Sequence, residues 1–354
     1  MVWNRVVVCG LVTLFGGVVN VDAQWLSHPA VGIPRDAEGK PALSAPAPQL
    51  PDRKPDLTGL WRIDIEPAYV VNIAADLDPA AVTPTASKLF DERIRDFGKD
   101  DPWTACLPMG GPRRMARGGF VKMIHTPTLL AMLYEDLTYR QVHLDGRTLP
   151  QDPGPSFMGY SVGHWEGDTL VVESTGFNDR RWLDFGGNPH TERLKTVERF
   201  SRVSLGRMDV QVKMVDDELY RQPITFSAVM NLSPDTELLE YVCAENPVSR
   251  LSGRSEEQKR VVVPPHILAT YVGTYEVVER VAAFGISRLT VFLSNGELFV
   301  DLNGKGRLPM VPLSETMFSP RLLGTYEFIK DANGKVTHVF ADETEGRHRF
   351  NRVP

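Results

Sequence analysis

The sequence is poor in the features that usually announce a chemistry. Three of its 354 residues are cysteine, and no Cys-x-x-Cys pair occurs, which excludes a dithiol redox motif. There is no His-Glu-x-x-His run and no paired Cys/His spacing of the kind that holds zinc. Ser-x-x-Lys is missing, and the one Gly-x-Ser-x-Gly run, Gly159–Gly163, falls inside an alternating strand stretch rather than at a strand-to-helix elbow, so no serine nucleophile of those hydrolase types is expected. Walker and dinucleotide fingerprints are missing as well, and nothing calls for a cofactor. Basic charge is in short supply: 39 Lys and Arg stand against 45 Asp and Glu, a net charge of -6. With no basic stripe of interleaved aromatics, a nucleic-acid partner is not expected. Arg113, Arg114 and Arg117 come nearest, and they read as a solvated or anion-facing loop.

Past the N-terminus no apolar run is long enough to cross a bilayer, so the mature chain is expected to have no transmembrane segment. The one apolar run, Val6 to Val19, follows Arg5 and leads to Val21-Asp22-Ala23 ahead of Gln24, the small-x-small pattern of a signal-peptidase site. Residues 1–23 therefore read as an export signal, and the expected location is periplasmic or secreted. The alternative, an uncleaved anchor, is opposed by the shortness of the run and by Gly10, Thr13, Gly16 and Gly17 within it. Cys9 would leave with the signal. Cys106 and Cys243 then remain in a compartment where disulfides persist, either bridged or as two buried free thiols.

What the chain does have is short alternating runs. A Pro-rich lead-in over 24–57 delivers the chain to a strand at Leu60–Ile65, with Trp61, Ile63 and Ile65 on one face. Further strands are expected at Phe120–His125, Leu129–Glu135, Tyr139–Leu144, Phe157–Trp165, Thr169–Ser174, 194–200, Met208–Val215 and Ile224–Asn231, with Leu238–Cys243 closing the series. Leu89, Phe90, Ile94 and Phe97 share helical spacing, giving one short helix over Ala86–Phe97 with Gly98 as its stop. The stretch 101–119 is all turn chemistry and is expected to be an ordered loop. A polar linker over 251–264 separates this main unit (58–250) from a second β unit (265–354), whose Asn295-Gly296 and Asn333-Gly334 pairs mark hairpin turns. The expected fold class is all-β: an antiparallel barrel or sandwich with one short helix, plus a smaller C-terminal β domain.

The most informative stretch is Phe157–Phe200. Its hairpin is followed by roughly twenty residues without helical or strand period, and loops of that length are functional or disordered. Phe177, Trp182, Leu183 and Phe185 are costly to leave in water, so the loop should fold back onto the hairpin and carry its polar residues with it. His190 stands there with Asp184, Glu192 and Asn178 nearby in sequence, and a His oriented by a carboxylate is a competent general acid or base. Glu198 should share a strand face with Leu194, Thr196 and Phe200, and an inward carboxylate among apolar neighbours is paired, with Arg140 a possible partner, or perturbed. His143 shares a face with Tyr139 and Gln141 that reads as solvent or as a barrel interior, and His164 shares one with Met158, Tyr160 and Val162 that reads as core. Asn178, Asp179, Asp184 and Asn188 would hold Ca²⁺ only through a favourable loop fold, and no metal is expected.

Two resemblances add to this. Tyr271-Val272-Gly273-Thr274-Tyr275, NGELFVDL, MFSP and NGKVTHVF resemble the lipocalin-like β domain appended to β-lactamase-like serine hydrolases, which implies a small, nearly closed accessory barrel. PDLTGLW, ACLPMGGPR, GHWEGDTLVVESTGFNDRRWLD, NPHTERLKTVERF and TELLEYVCAEN resemble a widespread secreted bacterial family of mostly hypothetical proteins, a resemblance that carries no reaction with it. The functional expectation is an exported, cofactor-independent hydrolase, lyase or isomerase acting on a small, partly apolar substrate. In it, His190, Asp184, Glu192 and Glu198 form the catalytic set, and Arg140, Asn178, Trp182 and Phe185 contact the substrate. The competing expectation is a lipocalin-like protein that holds a small ligand unchanged.

Overall fold

Alternation of apolar and polar residues builds nine strands in the larger unit: β1 (Gly59–Ile65), β2 (Gly119–Thr126), β3 (Leu129–Tyr134), β4 (Tyr139–His143), β5 (Tyr160–Glu166), β6 (Thr169–Thr175), β7 (Lys195–Arg202), β8 (Arg207–Val215) and β9 (Ile224–Leu232). The structure, a computed structural model, describes residues 29–96, 98–245, 261–278, 286–319, 324–343 and 346–354. The expected export signal, most of the expected linker (251–260) and Phe97 lie outside the described residues. Each strand pairs with the next, and β9 returns to β1 with Trp61 opposite Leu232 and Ile63 opposite Met230, which closes a barrel. Every pair is antiparallel except β4 with β5, which run parallel and match over Val142–His143 and Ser161–Val162 alone.

Closure decides which residues face inward, because a side chain and its cross-strand partner share a face. Trp61, Met123, Met132, Val172, Phe200 and Met208 fill the interior and are fully buried. Methionines adapt to irregular gaps, and this interior is a packed core rather than a calyx. On β5 the inward residues include Ser161 and Gly163, opposite Ser174 and Val172. Tyr160, Val162 and His164 therefore point outward. The expected core position of His164 is corrected by this register: its imidazole is exposed and lies 3.5 Å from Glu166.

Helices occupy the long connection between β1 and β2. α1 is Pro67–Val71, α2 is Pro84–Arg95 and α3 is Gly111–Arg117. α2 begins two residues before the expected start because Thr83 caps it, its hydroxyl accepting from the Ala86 N–H. α1 and α3 were not foreseen; helices of five and seven residues are too short to write a period and are held by packing. The expected strand Leu238–Cys243 does not form. With β9 already paired to β1 the sheet has no free edge, and the segment is instead tied by Tyr241 N–H to the Glu135 carbonyl and by a Cys106–Cys243 disulfide with a Cα separation of 5.6 Å.

The smaller unit opens with α4 (Pro265–Tyr271) and continues through β10 (Gly273–Val277), β11 (Arg288–Ser294), β12 (Glu297–Leu302), β13 (Lys305–Pro309), β14 (Val311–Pro312), β15 (Met317–Ser319), β16 (Thr325–Lys330), β17 (Val336–Glu343) and β18 (Gly346–Arg352). β13 and β14 lie at opposite ends of this sheet yet are separated only by Met310. The sheet is therefore curled until its ends approach. Asn295 and Gly296 both have positive φ, at 52° and 78°, as a two-residue hairpin turn requires. Val71 and Ile94, from the helical connection, are buried in the core of this unit, and Arg95 meets Glu297 at 2.6 Å. Among the described residues no helix is long and apolar enough to cross a membrane.

Candidate functional site

The loop after β6 folds back, as its apolar content demands, and residues 181–190 are all buried. Asp184 organises it. One carboxylate oxygen accepts from Ile73 N–H at 2.8 Å and Asn188 Nδ2 at 2.6 Å; the other accepts from Gly187 N–H at 2.7 Å and Asn188 N–H at 3.0 Å. Burial raises its pKa against the pull of those bonds. Phe185 N–H and Gly186 N–H donate to the carbonyls of Val70 and Val71, so the loop is laid along α1. A Cβ on Gly186 would run into the Val71 carbonyl, which is why a glycine stands there.

His190 is buried, at 5% exposure. Its Nδ1 lies 3.0 Å from the Thr191 carbonyl, and its Nε2 has no partner among the described residues. The Nδ1 therefore carries the hydrogen and Nε2 offers a lone pair. Burial first, then the Arg181 charge, push its pKa down to about 3. The imidazole is neutral at ordinary pH. The structure does not bring it to either expected orienting carboxylate: Asp184 is spent on loop N–H groups, and Glu192 is exposed. Asn178 is a turn residue whose Oδ1 accepts from Arg180 N–H at 3.2 Å. Trp182 lies under the Arg93 guanidinium at 4.7 Å. Phe185 meets Trp103 edge-on at 5.3 Å and lies under Arg113 at 4.3 Å. These aromatics are packed into the loop's own support.

Glu198 does face inward, and Arg140 is its partner: the two form an ion pair with both side chains 3% exposed. Arg140 also donates to Ser161 Oγ at 3.0 Å and Ser174 Oγ at 2.8 Å, and the two hydroxyls share a bond of 2.8 Å. Burial lowers the Arg140 pKa, but Glu198 and Tyr134 outweigh it and the net shift is upward. Tyr134, buried beside the pair, is pushed up to about 12 by desolvation. Cross-strand register sets this cluster, because Val172 opposite Glu198, Ser174 opposite Ser161 and Met132 opposite Arg140 place all of them in the lumen.

The cluster lies beneath the weakest part of the wall. The segment before β5 bonds to the loop, with Ser156 N–H to the Gly176 carbonyl and Asn178 N–H to the Ser156 carbonyl. It therefore diverges from the first residues of β4. The gap is a pocket of about 520 Å³ lined by Pro108, Leu137–Gln141, His143 and Ser156–Ser161, with Arg140 and Ser161 among its lining. The His143 and Tyr160 rings stand 5.2 Å apart on its wall, and Arg147 holds the Tyr160 hydroxyl at 3.0 Å. The catalytic set expected from sequence is thus divided, Glu198 lying in the lumen and the other three on the loop.

Buried arginines, Arg113 and Arg181 among them, were missed. Arg113, one of the three read as a loop, is fully enclosed and bound bidentately by Asp101 at 2.7 and 2.6 Å. Arg181, 2% exposed, donates from Nη1 to the Phe157 carbonyl, while Nε and Nη2 have no partner among the described residues. The available signal was Arg180-Arg181 set directly before an apolar run that had to be buried. Compared with known proteins, the chain matches no family model and no curated protein.

Proposed function

We propose that this is an exported protein that binds a small, partly aromatic, hydrogen-bonding molecule in the pocket between β4 and β5, without a built-in acid–base dyad. The observation that carries the reading is the placement of the buried Arg140–Glu198 pair at a break in the barrel wall. A buried ion pair is weak evidence for stability, since apolar residues of similar volume commonly do as well. Its position at a pocket of ligand size, within the usual range of about 300–1,000 Å³, supports a recognition role. Tyr139, Gln141, His143 and Tyr160 supply flat faces and hydrogen-bonding edges around it. The disulfide fits an oxidising compartment, and the small β unit, with its lipocalin-like resemblance, is an accessory module in this reading.

The enzymatic alternative centred on His190 has less behind it, because among the described residues no carboxylate bonds that imidazole, and burial holds it neutral. The test is a ligand screen by native mass spectrometry and thermal shift on the mature protein. Tyr139→Ala and His143→Ala, both on the pocket wall, should weaken any hit while leaving stability unchanged. Hits that bind both variants as tightly as wild type would place the ligand elsewhere and refute the assignment.

A further inference from the structure

Arg181 presents an unusual combination. Its side chain is almost wholly enclosed, its Nη1 is used by the Phe157 carbonyl, and the two nitrogens left over are Nε and Nη2. Those two N–H groups form the side-on fork of a guanidinium and point the same way, the geometry that takes two oxygens of one oxyanion. Among the described residues no carboxylate pairs with Arg181. The contrast with Arg113 is local and direct: there the end-on fork is filled by Asp101. Unpaired buried charge is costly, and buried donors without a protein partner are commonly met by an ion or a water.

The chain packs closely around that guanidinium. A Cβ on Gly110, whose φ is +80°, would run into the Arg181 guanidinium, so glycine is required to bring the chain this close. The Phe177 ring lies 5.2 Å from the guanidinium carbon. His190 is near enough for Arg181 to depress its basicity, and its unpartnered Nε2 carries a lone pair. Nothing acidic in the neighbourhood answers Arg181: Asp101 is committed to Arg113, and Asp184 to loop N–H groups.

We propose that Arg181 is the seat of a buried oxyanion site, its Nε–H and Nη2–H each binding one oxygen of a small oxyanion while His190 Nε2 accepts a hydroxyl that the same anion carries. Hydrogen phosphate has the required pair of oxygens and the O–H. Arg181 stands directly behind Phe157, which lines the pocket described above, but the site does not depend on that pocket's taking a ligand.

Inorganic phosphate is the probe. Mature protein dialysed free of phosphate is titrated by calorimetry at constant ionic strength, beside Arg181→Met and His190→Phe. One saturable site per chain in wild type is expected, weakened by on the order of tenfold or more in Arg181→Met, the loss that goes with removing a charged hydrogen-bond pair. His190→Phe should weaken it less. Should Arg181→Met fail to fold, a wild-type crystal grown in phosphate decides: tetrahedral density with two oxygens on the fork supports the site, and water alone there overturns it. The absence of saturable binding to wild type, or equal binding to wild type and Arg181→Met, overturns it equally.

Discussion

Removing Glu198 is the sharpest perturbation of the lumen. Glu198→Leu would leave the Arg140 guanidinium, 3% exposed, with only hydroxyl partners, since Ser161 and Ser174 accept from it but carry no charge. Breaking a buried ion pair by deleting one partner costs about 3–5 kcal/mol, because the remaining charge keeps its desolvation penalty and loses its compensation. The double variant Arg140→Met/Glu198→Leu removes both charges, leaves the serine pair bonded to itself at 2.8 Å, and should lie within about 1 kcal/mol of wild type. Urea unfolding of the three proteins at pH 7, followed by circular dichroism, gives the comparison. A single variant that costs under ~1 kcal/mol, or a double variant no better than the single, would refute the reasoning. A stable double variant that no longer takes ligand would separate the pair's recognition role from any structural one.

The pH response of His190 has a definite sign. Its pKa falls from 6.5 to about 3 on folding, so between those values the unfolded chain holds a proton that the folded chain does not. Stability contributed by this group should drop by about 1.4 kcal/mol per pH unit as pH falls through that window, and His190→Gln should flatten the slope; equal slopes would refute it. Asp184→Ala orphans three backbone N–H groups and takes one of two acceptors from the Asn188 side-chain amide, which keeps Asn72 Oδ1. It should cost at least ~3 kcal/mol and raise hydrogen exchange across the loop, whereas an unchanged loop would deny Asp184 its organising role. Reducing Cys106–Cys243, which are separated by 137 residues, should lower stability by up to about 5 kcal/mol from loop-closure entropy. Denaturant midpoints with and without reductant measure it, and coincident midpoints would argue that the bond constrains nothing.

The strands were legible because a period of two needs only near neighbours: Trp61 and Ile63, or Leu170 and Val172, declare their face within a few residues. Inward placement of Glu198 followed from the same rule, and Arg140 could be named as a partner because it sits on another short alternating strand. Pairing across the fold has no such signature. Nothing near β4 states that it runs parallel to β5 over two residue pairs, so the break in the wall, and the pocket at it, were invisible. The pairing expected of His190 with Asp184 or Glu192 is not found, for a related reason. Asp184 and Glu192 are close to it along the chain, but a loop that bonds its own backbone through Asp184 turns sequence neighbours away from one another. Arg180 and Arg181 show the limit most plainly. The two are chemically identical and adjacent, and yet Arg180 is exposed and Arg181 enclosed. What separates them is the approach of Gly110 from about seventy residues earlier, together with the Phe157 carbonyl. A glycine in the turn-rich stretch 101–119 was readable as a turn; that it was there to admit a guanidinium was a fact about two segments at once.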